Sequence, residues 1–277
     1  MTQMKVALVT GASSGIGADT AIRLAESGFV VYGAARRKDR MAELLDKGIT
    51  ALPMDITDEI SVRSAVATII ETSGRIDVLV NNAGYGSYGA IEDVSMDEAR
   101  RQMDVNVFGL AQLTRVVLPH MRSQNSGTII NVSSMGGKMV TPLGGWYHAS
   151  KYAVEALSDA LRLETSQFGI RTVVVEPGSI RTEWGSLADE NLRAVSENGA
   201  YAEIANRVGT SLSASSEPGT RTTSGPDVVA KKITKIARSQ NPKTRYRVGF
   251  GARPMLFLRW LLPDRAFDRV IKAAFGL

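Results

Sequence analysis

Thr10-Gly11-Ala12-Ser13-Ser14-Gly15-Ile16-Gly17 follows a short apolar run, Val6-Ala7-Leu8-Val9, and precedes a stretch of helical spacing from Ala18 to Ser27. Glycines let a backbone turn sharply and approach a ligand closely, while the start of a helix offers free N–H groups to an anion. Strand, glycine turn and helix in that order form the expected seat of a dinucleotide pyrophosphate. The spacing GxxxGxG differs from the commoner GxGxxG, and a tight turn without a ligand also uses glycine. The surrounding sequence decides between these readings.

Working outward, β-branched runs alternate with longer helical patterns. Strands are predicted at Val6–Val9, Val30–Gly33, Ala51–Met54, Val78–Asn81, Thr128–Val132 and Thr172–Glu176, with helical spacing between them, for example at Ile60–Ser73. Nearly continuous apolar strands separated by helices imply a parallel sheet covered on both faces. The expected fold is α/β, a Rossmann-type doubly wound parallel sheet in one domain. No repeat is visible, and no linker divides residues 1–180. Ser211 to Pro226, rich in Ser, Thr, Gly and Pro, reads as a flexible surface loop or a mobile lid over a site.

Composition removes several chemistries. The 277 residues include no cysteine and two histidines, His120 and His148. Disulfides, thiolate metal sites and a thiol nucleophile are therefore excluded, and a multi-histidine metal centre is not expected. The net charge of +5 is unevenly spread: residues 226–277 carry twelve Lys/Arg against three Asp/Glu, whereas residues 1–225 carry 21 against 25. The basic character belongs to the tail, and no stretch approaches the roughly 20 apolar residues of a bilayer span. A cytoplasmic protein is expected.

Further motifs stand in a fixed order: Asp55, Asn81-Asn82-Ala83-Gly84, Asn106, Ser134, Tyr147-His148-Ala149-Ser150-Lys151 and Pro177-Gly178. With Thr10–Gly17 they resemble the short-chain dehydrogenase/reductase family over roughly residues 4–185. The resemblance implies a single-domain NAD(P)-dependent oxidoreductase. Cofactor contacts are then expected at Gly11, Ser13, Ser14, Gly15, Ile16 and Gly17 in the turn. Asp55 and Ile56 would lie near the adenine, Asn82, Ala83 and Gly84 along the adenosine, and Asn82 would also stabilise the sheet. Pro177, Gly178, Ile180 and Thr182 follow the sixth strand, where the resemblance assigns the nicotinamide carboxamide to the Ile180 backbone and the Thr182 hydroxyl. For Asp55, a plain helix cap is the competing reading.

The second strand carries no carboxylate at its end; Arg36-Arg37-Lys38 comes at once after it. An acidic residue there accepts the ribose 2′-hydroxyl of NAD, whereas a guanidinium suits a 2′-phosphate. NADP(H) is therefore expected over NAD(H), with Arg36 as the main contact and Arg37 beside it.

Tyr147 and Lys151 are four residues apart, so on a helix they share one face. A nearby ammonium, joined by a positively charged nicotinamide ring, favours the phenolate and should lower the tyrosine from its usual value of about 10. Tyr147 could then accept or donate the proton of an alcohol–ketone interconversion. Ser134, at a strand end, can hold the substrate oxygen; Ser133 is its neighbour, and the family spacing favours Ser134. By resemblance Asn106 holds a water that links Lys151 to solvent, and Lys151 holds the nicotinamide ribose. His148 is offset by one residue and should point away from the phenol. The competing class of function is an NADP(H)-binding regulator that does no chemistry.

The substrate is expected to be a small hydrophobic alcohol or ketone, with Trp184, Leu187, Leu192, Val195 and Tyr201 either lining its pocket or packing a helix. Residues 1–250 read as the catalytic domain, with 185–225 as substrate loop or lid, and 251–277 as a basic amphipathic extension. Val228–Ala237 reads as a basic amphipathic helix and Arg245–Gly249 as a last strand. The extension resembles those of steroid- and retinol-type family members. It suits a helix over the substrate site, a dimer contact or attachment to an anionic membrane. A homodimer or homotetramer is expected, and nucleic acid is not an expected partner.

Overall fold

The computed structural model describes residues 4–37 and 39–277. Seven parallel strands form one sheet in the order β3-β2-β1-β4-β5-β6-β7: β1 Val6–Thr10, β2 Val30–Ala35, β3 Thr50–Pro53, β4 Val78–Asn81, β5 Gly127–Val132, β6 Ile170–Pro177 and β7 Arg245–Val248. The inner strands β1, β4 and β5 are buried along their whole length, while the edge strand β3 exposes both its ends. That burial explains their unbroken apolar runs, because helices cover both faces of the sheet.

One layer contains α1 (Gly15–Glu26) and α9 (Pro226–Arg238), which bury Leu24, Val229, Ile233 and Ile236 against Val9, Val80 and Ile130. A four-residue turn, α2 (Ala42–Leu45), closes its rim. The other layer contains α3 (Glu59–Ser73), α4 (Met96–Met103), α5 (Leu110–Ser123) and α6 (Gly145–Thr165). There Val62, Ile69, Leu113, Val117 and Met121 pack on Leu8, Leu79 and Ile129. Between α4 and α5 the backbone widens into one π-helical stretch, Asp104–Gly109, which carries Asn106.

Strand order reverses between β1 and β4, where the chain leaves in opposite directions and opens a crevice at the strand ends. A buried polar chain fixes this region: Asn81 Nδ2 donates to Asn131 Oδ1 (2.9 Å) and Thr114 Oγ1 (3.0 Å), and Asn131 Nδ2 donates to Ser158 Oγ (2.8 Å).

The segment after β6 corrects one expectation. Residues 211–216 are not loop but the last turns of α8 (Ala202–Ser216), which packs against α7 (Trp184–Ser196). Small residues make the approach possible. A methyl group on Gly185 would stand 2.6 Å from Ser216 Oγ, and Ser216 Oγ accepts the Ser186 N–H at 3.0 Å. Ser215 returns its hydroxyl to Leu212 O (2.6 Å) and Ser213 donates to Asp189. Serines that look solvent-seeking in sequence are here the packing surface of a helical hairpin. After β7 come α10 (Ala252–Leu261) and α11 (Asp264–Ala274).

Candidate active site

The crevice between β1 and β4 is shaped by backbone proximity. Gly11 and Gly15 have φ of +66° and +52°. A Cβ on Gly11 would lie 2.8 Å from Asn82 Nδ2, and one on Gly17 would collide with the Gly11 carbonyl. Asn82 Nδ2 donates to Thr10 O (3.0 Å), while Thr10 Oγ1 accepts the N–H groups of Asn82 (3.0 Å) and Ala83 (2.9 Å). The motif residues thus tie the ends of β1 and β4 together. Helix α1 starts at Gly15, three residues before the sequence pattern places it. Ser14 precedes it with extended backbone and no capping side-chain bond, and its first turn contains no acidic residue. Free N–H groups with no local anion suit a pyrophosphate, so the cradle fits a dinucleotide.

Asp55 and Arg36 face each other at the adenosine end. Partial burial pushes the Asp55 carboxyl up, but bonds from the Thr57 N–H (2.9 Å) and hydroxyl (2.7 Å), with the Arg36 guanidinium, outweigh it and hold it below the usual carboxylate value. Asp55 is no cap for the next helix, because Asp58 accepts the Ile60 N–H there at 2.9 Å. Ile56 is buried against Gly109. Arg36 and Arg37 are exposed beyond the end of β2, free to reach a phosphate; Lys38 lies outside the described residues. Opposite them, Arg40 bridges to Glu183 at 3.2 Å, across the groove to the segment after Thr182.

At the other end the structure brings Asn106, Ser134, Tyr147 and Lys151 together. The Ser134 hydroxyl bonds to the Tyr147 phenol and accepts the Gly136 N–H at 3.0 Å. Lys151 Nζ donates to Val132 O at 3.0 Å. A Cβ on Gly84 would stand 2.9 Å from Asn106 Oδ1 and 3.7 Å from Lys151 Nζ, so that glycine closes the same small volume. Both groups of the Asn106 amide are occupied. Oδ1 accepts the Tyr85 N–H (3.0 Å), while Nδ2 donates to Tyr85 O (2.9 Å) and Ser150 Oγ (3.0 Å). This side chain fixes the chain beyond Gly84.

Electrostatics depart from the sequence expectation at the phenol. Tyr147 is 8% exposed, and burial pushes it up to about 12, against the lowering effect of Ser134. The Tyr88 and Trp184 rings, 5.9 and 5.0 Å away, exclude water from it, a burial that opposes the lowering expected from Lys151 and the nicotinamide ring. Burial also brings Lys151 down to about 8, with the Glu155 charge opposing that shift. Glu155 is itself held by Arg245 (3.0 Å) and Lys138 (3.4 Å). His148 does not point away from the phenol: its ring lies edge to face with Tyr147 at 5.5 Å, while Nδ1 donates to Gly136 O (3.0 Å) and Nε2 accepts the Thr141 N–H (2.9 Å), clasping the loop beyond Ser134.

Pro177 ends β6, and Gly178 runs so close to Phe250 that a Cβ would strike its carbonyl oxygen. Ile180 pairs with Ser224, and Thr182 lies against Gly15. The Thr182 hydroxyl accepts the Trp184 N–H at 3.3 Å and so begins α7. The cofactor cradle and the substrate cover therefore meet at Thr182.

Over the phenol lies an apolar wall: Tyr88, Ala188, Leu192, Ala205 and Val208, with Leu143, Trp184 and Phe275 packed against them. Trp184 and Leu192 belong to this wall, whereas Leu187 and Val195 are largely exposed and Tyr201 bonds to Glu92 at the rim. Sequence reasoning missed Tyr88, Leu143 and Phe275. Leu143, with a φ of +61°, accepts the Gly89 N–H at 2.8 Å and so holds the strand-end loop against the helix of Tyr147.

The sequence profile of the short chain dehydrogenase family matches residues 5–192. The chain belongs to the short-chain dehydrogenase/reductase family. A 3-ketodihydrosphingosine reductase from Bacteroides thetaiotaomicron is 40% identical over 248 residues, 89% of this chain and 88% of that protein. An NADPH-dependent 3-dehydrocapnine reductase from Ornithobacterium rhinotracheale is 34% identical over 277 residues, 96% of each chain. A short-chain dehydrogenase from Streptomyces avermitilis superposes with a TM-score of 0.82 at 33% identity, covering 100% of this chain and 99% of that one.

The short-chain dehydrogenase profile stops at Leu192, inside the apolar wall. The C-terminal helices beyond it still make specific contacts. Leu256 of α10 and Phe267 and Ile271 of α11 bury Met139, next to the loop that carries Ser134. Phe275, at the end of α11, reaches the wall around Tyr147. The extension therefore packs on the loop of Ser134 and on the apolar cluster that includes Tyr147. Part of the tail's charge also proves to be internal: Arg245 pairs with Asp159 (2.7 Å) as well as Glu155, and Arg247 with Glu176 (3.4 Å).

Proposed function

We propose that this oxidoreductase uses NADPH to reduce apolar, long-chain ketones to secondary alcohols. The carrying observation is the joint placement of Ser134, Tyr147 and Lys151 beneath a wall of aromatic and aliphatic side chains. Support comes from two relatives named as a 3-ketodihydrosphingosine reductase and an NADPH-dependent 3-dehydrocapnine reductase. Arg36 and Arg37, with no carboxylate at the end of β2, favour the 2′-phosphate.

When bound at the crevice, NADPH supplies hydride to the carbonyl carbon. The chain does the rest. Ser134 holds the carbonyl oxygen in line with the phenol, and Tyr147 gives that oxygen its proton. A buried, protonated phenol can give that proton, and the phenolate takes it back in the reverse direction. Lys151, cationic below about pH 8, stabilises the phenolate left behind and orients the ribose. Gly11, Ser13, Ser14, Gly15, Ile16 and Gly17 cradle the pyrophosphate; Asp55, Ile56, Asn82, Ala83 and Gly84 border the adenosine; Pro177, Gly178, Ile180 and Thr182 hold the carboxamide. Assembly as a homodimer or homotetramer belongs to the same reading, with exposed Phe108, Leu157 and Leu163 supplying apolar surface.

NADPH absorbance tests this with long-chain 3-oxo amines against short ketones of equal concentration. Long chains are expected to give the higher kcat/KM, and Tyr147→Phe to lower it by about 10²–10⁴-fold while NADPH binding persists. Turnover that survives Tyr147→Phe, or a preference for short polar ketones, overturns the proposal. NADPH binding with no turnover of any ketone returns the protein to the regulator class.

A further inference from the structure

Helix α10 has the wrong surface for a helix on the outside of a protein. Its inner side buries Ala252 and Leu256. Its outer side carries Phe257 at 53%, Leu261 at 55% and Trp260 at 78% exposure, with the Phe257 and Trp260 rings 5.9 Å apart. A helix apolar all round is ordinarily covered on every side. By contrast α11, its neighbour, turns Phe267 and Ile271 inward and exposes Arg265, Asp268, Arg269 and Lys272.

The charges around this face select its occupant. Arg253 is exposed at helical spacing from Phe257 and Trp260, so it borders the same surface. Together α10 and α11 hold five cations and two aspartates, and one of those aspartates, Asp264, is engaged by Arg259 at 2.8 Å. A second copy of the chain docked here about a two-fold axis would bring this basic pair against itself, which opposes association. An anionic lipid surface complements it. Exposed tryptophan, phenylalanine and leucine beside arginine and lysine match the chemistry of the bilayer interface, where apolar rings enter the headgroup region and cations meet lipid phosphate. Among the described residues no helix is long and apolar enough to cross a membrane.

We propose that the outward face of α10, flanked by the cations of α10 and α11, docks this protein on an anionic lipid membrane. The inner side of the same helix packs on Met135 and Met139, just beyond Ser134, and α11 ends at Phe275 in the wall over Tyr147. Docking therefore sets the substrate cover beside the lipid, where a long-chain amphiphile resides. The contact itself stands independently of the ketone reading, and it is measured without substrate.

The test is co-sedimentation of the full chain with vesicles of phosphatidylglycerol and phosphatidylcholine in equal parts, against phosphatidylcholine alone. Binding is expected to be at least about tenfold stronger on the anionic vesicles and to fall in high salt. The double substitution Phe257→Ser, Trp260→Ser should weaken it by about tenfold or more and leave turnover of a water-soluble ketone unchanged. Arg253→Glu with Arg269→Glu, which keeps every apolar contact of the fold, should do the same. Equal binding to both vesicles, no binding to either, or unchanged binding by both variants overturns the proposal. So does a wild-type dimer in gel filtration that the serine variant converts to monomer, since that assigns the face to a second copy.

Discussion

The half of the molecule that cradles the dinucleotide and the half that covers the substrate are held by different kinds of constraint. From β1 to α6 the determining contacts all involve a main-chain atom or a glycine: Gly17 against the Gly11 carbonyl, Gly84 against the Asn106 amide, and the Asn82 and Ala83 N–H groups on the Thr10 hydroxyl. Few residue types satisfy such contacts. The cover, α7–α8 and α10–α11, is held by side chains of ordinary helices, such as Ala188, Leu192, Val208, Leu256 and Phe267. Many sequences satisfy those.

Substitutions on either side sharpen this contrast. Arg36→Asp is expected to cost NADPH about tenfold to a hundredfold in kcat/KM relative to NADH, since a charge-assisted bond worth about 1.5–3 kcal/mol becomes a repulsion. Steady-state rates with both cofactors measure it, and an unchanged ratio would detach Arg36 from the cofactor. On the cover, Gly185→Val forces α7 from α8, at a cost of about 1–3 kcal/mol. The expected signature is a lower Tm and a KM for ketone raised by about tenfold, with the Kd for NADPH unchanged. A matching loss of cofactor affinity would break the division between the halves. The smallest effect is expected from Glu155→Gln, which removes the charge that keeps buried Lys151 protonated. Lys151 is active as a cation, so kcat/KM should fall above about pH 8 in the native protein and at lower pH in the variant. A pH profile reads the shift directly, and an unmoved alkaline limb denies the coupling.

The same contrast explains how much of the molecule is legible in its sequence. The strand at Val78–Asn81 stands as the sequence places it; β3 is shifted back by one residue, β7 ends one residue earlier, and the others extend by a residue or two at their ends. The glycine turn, Asp55, Asn106, Ser134, Tyr147 and Lys151 fall around one crevice because their spacing is dictated by backbone geometry. The serine-rich end of α8 misleads, since serine composition reports solvent preference and not the close helix packing that small side chains allow. Tyr88 and Phe275 come to Tyr147 from 59 residues before and 128 residues after it in the chain, so no local pattern announces them. The raised phenol is equally hidden: Lys151 is close in sequence, but the burial that outweighs it comes from Tyr88 and Trp184.

Leu143, a leucine at a φ of +61°, costs roughly 1–2 kcal/mol that glycine would not. Its side chain nevertheless packs into the wall beside Tyr88 and Tyr147, where glycine offers nothing. The packing of this side chain is therefore what holds position 143 in a left-handed conformation that its residue type disfavours.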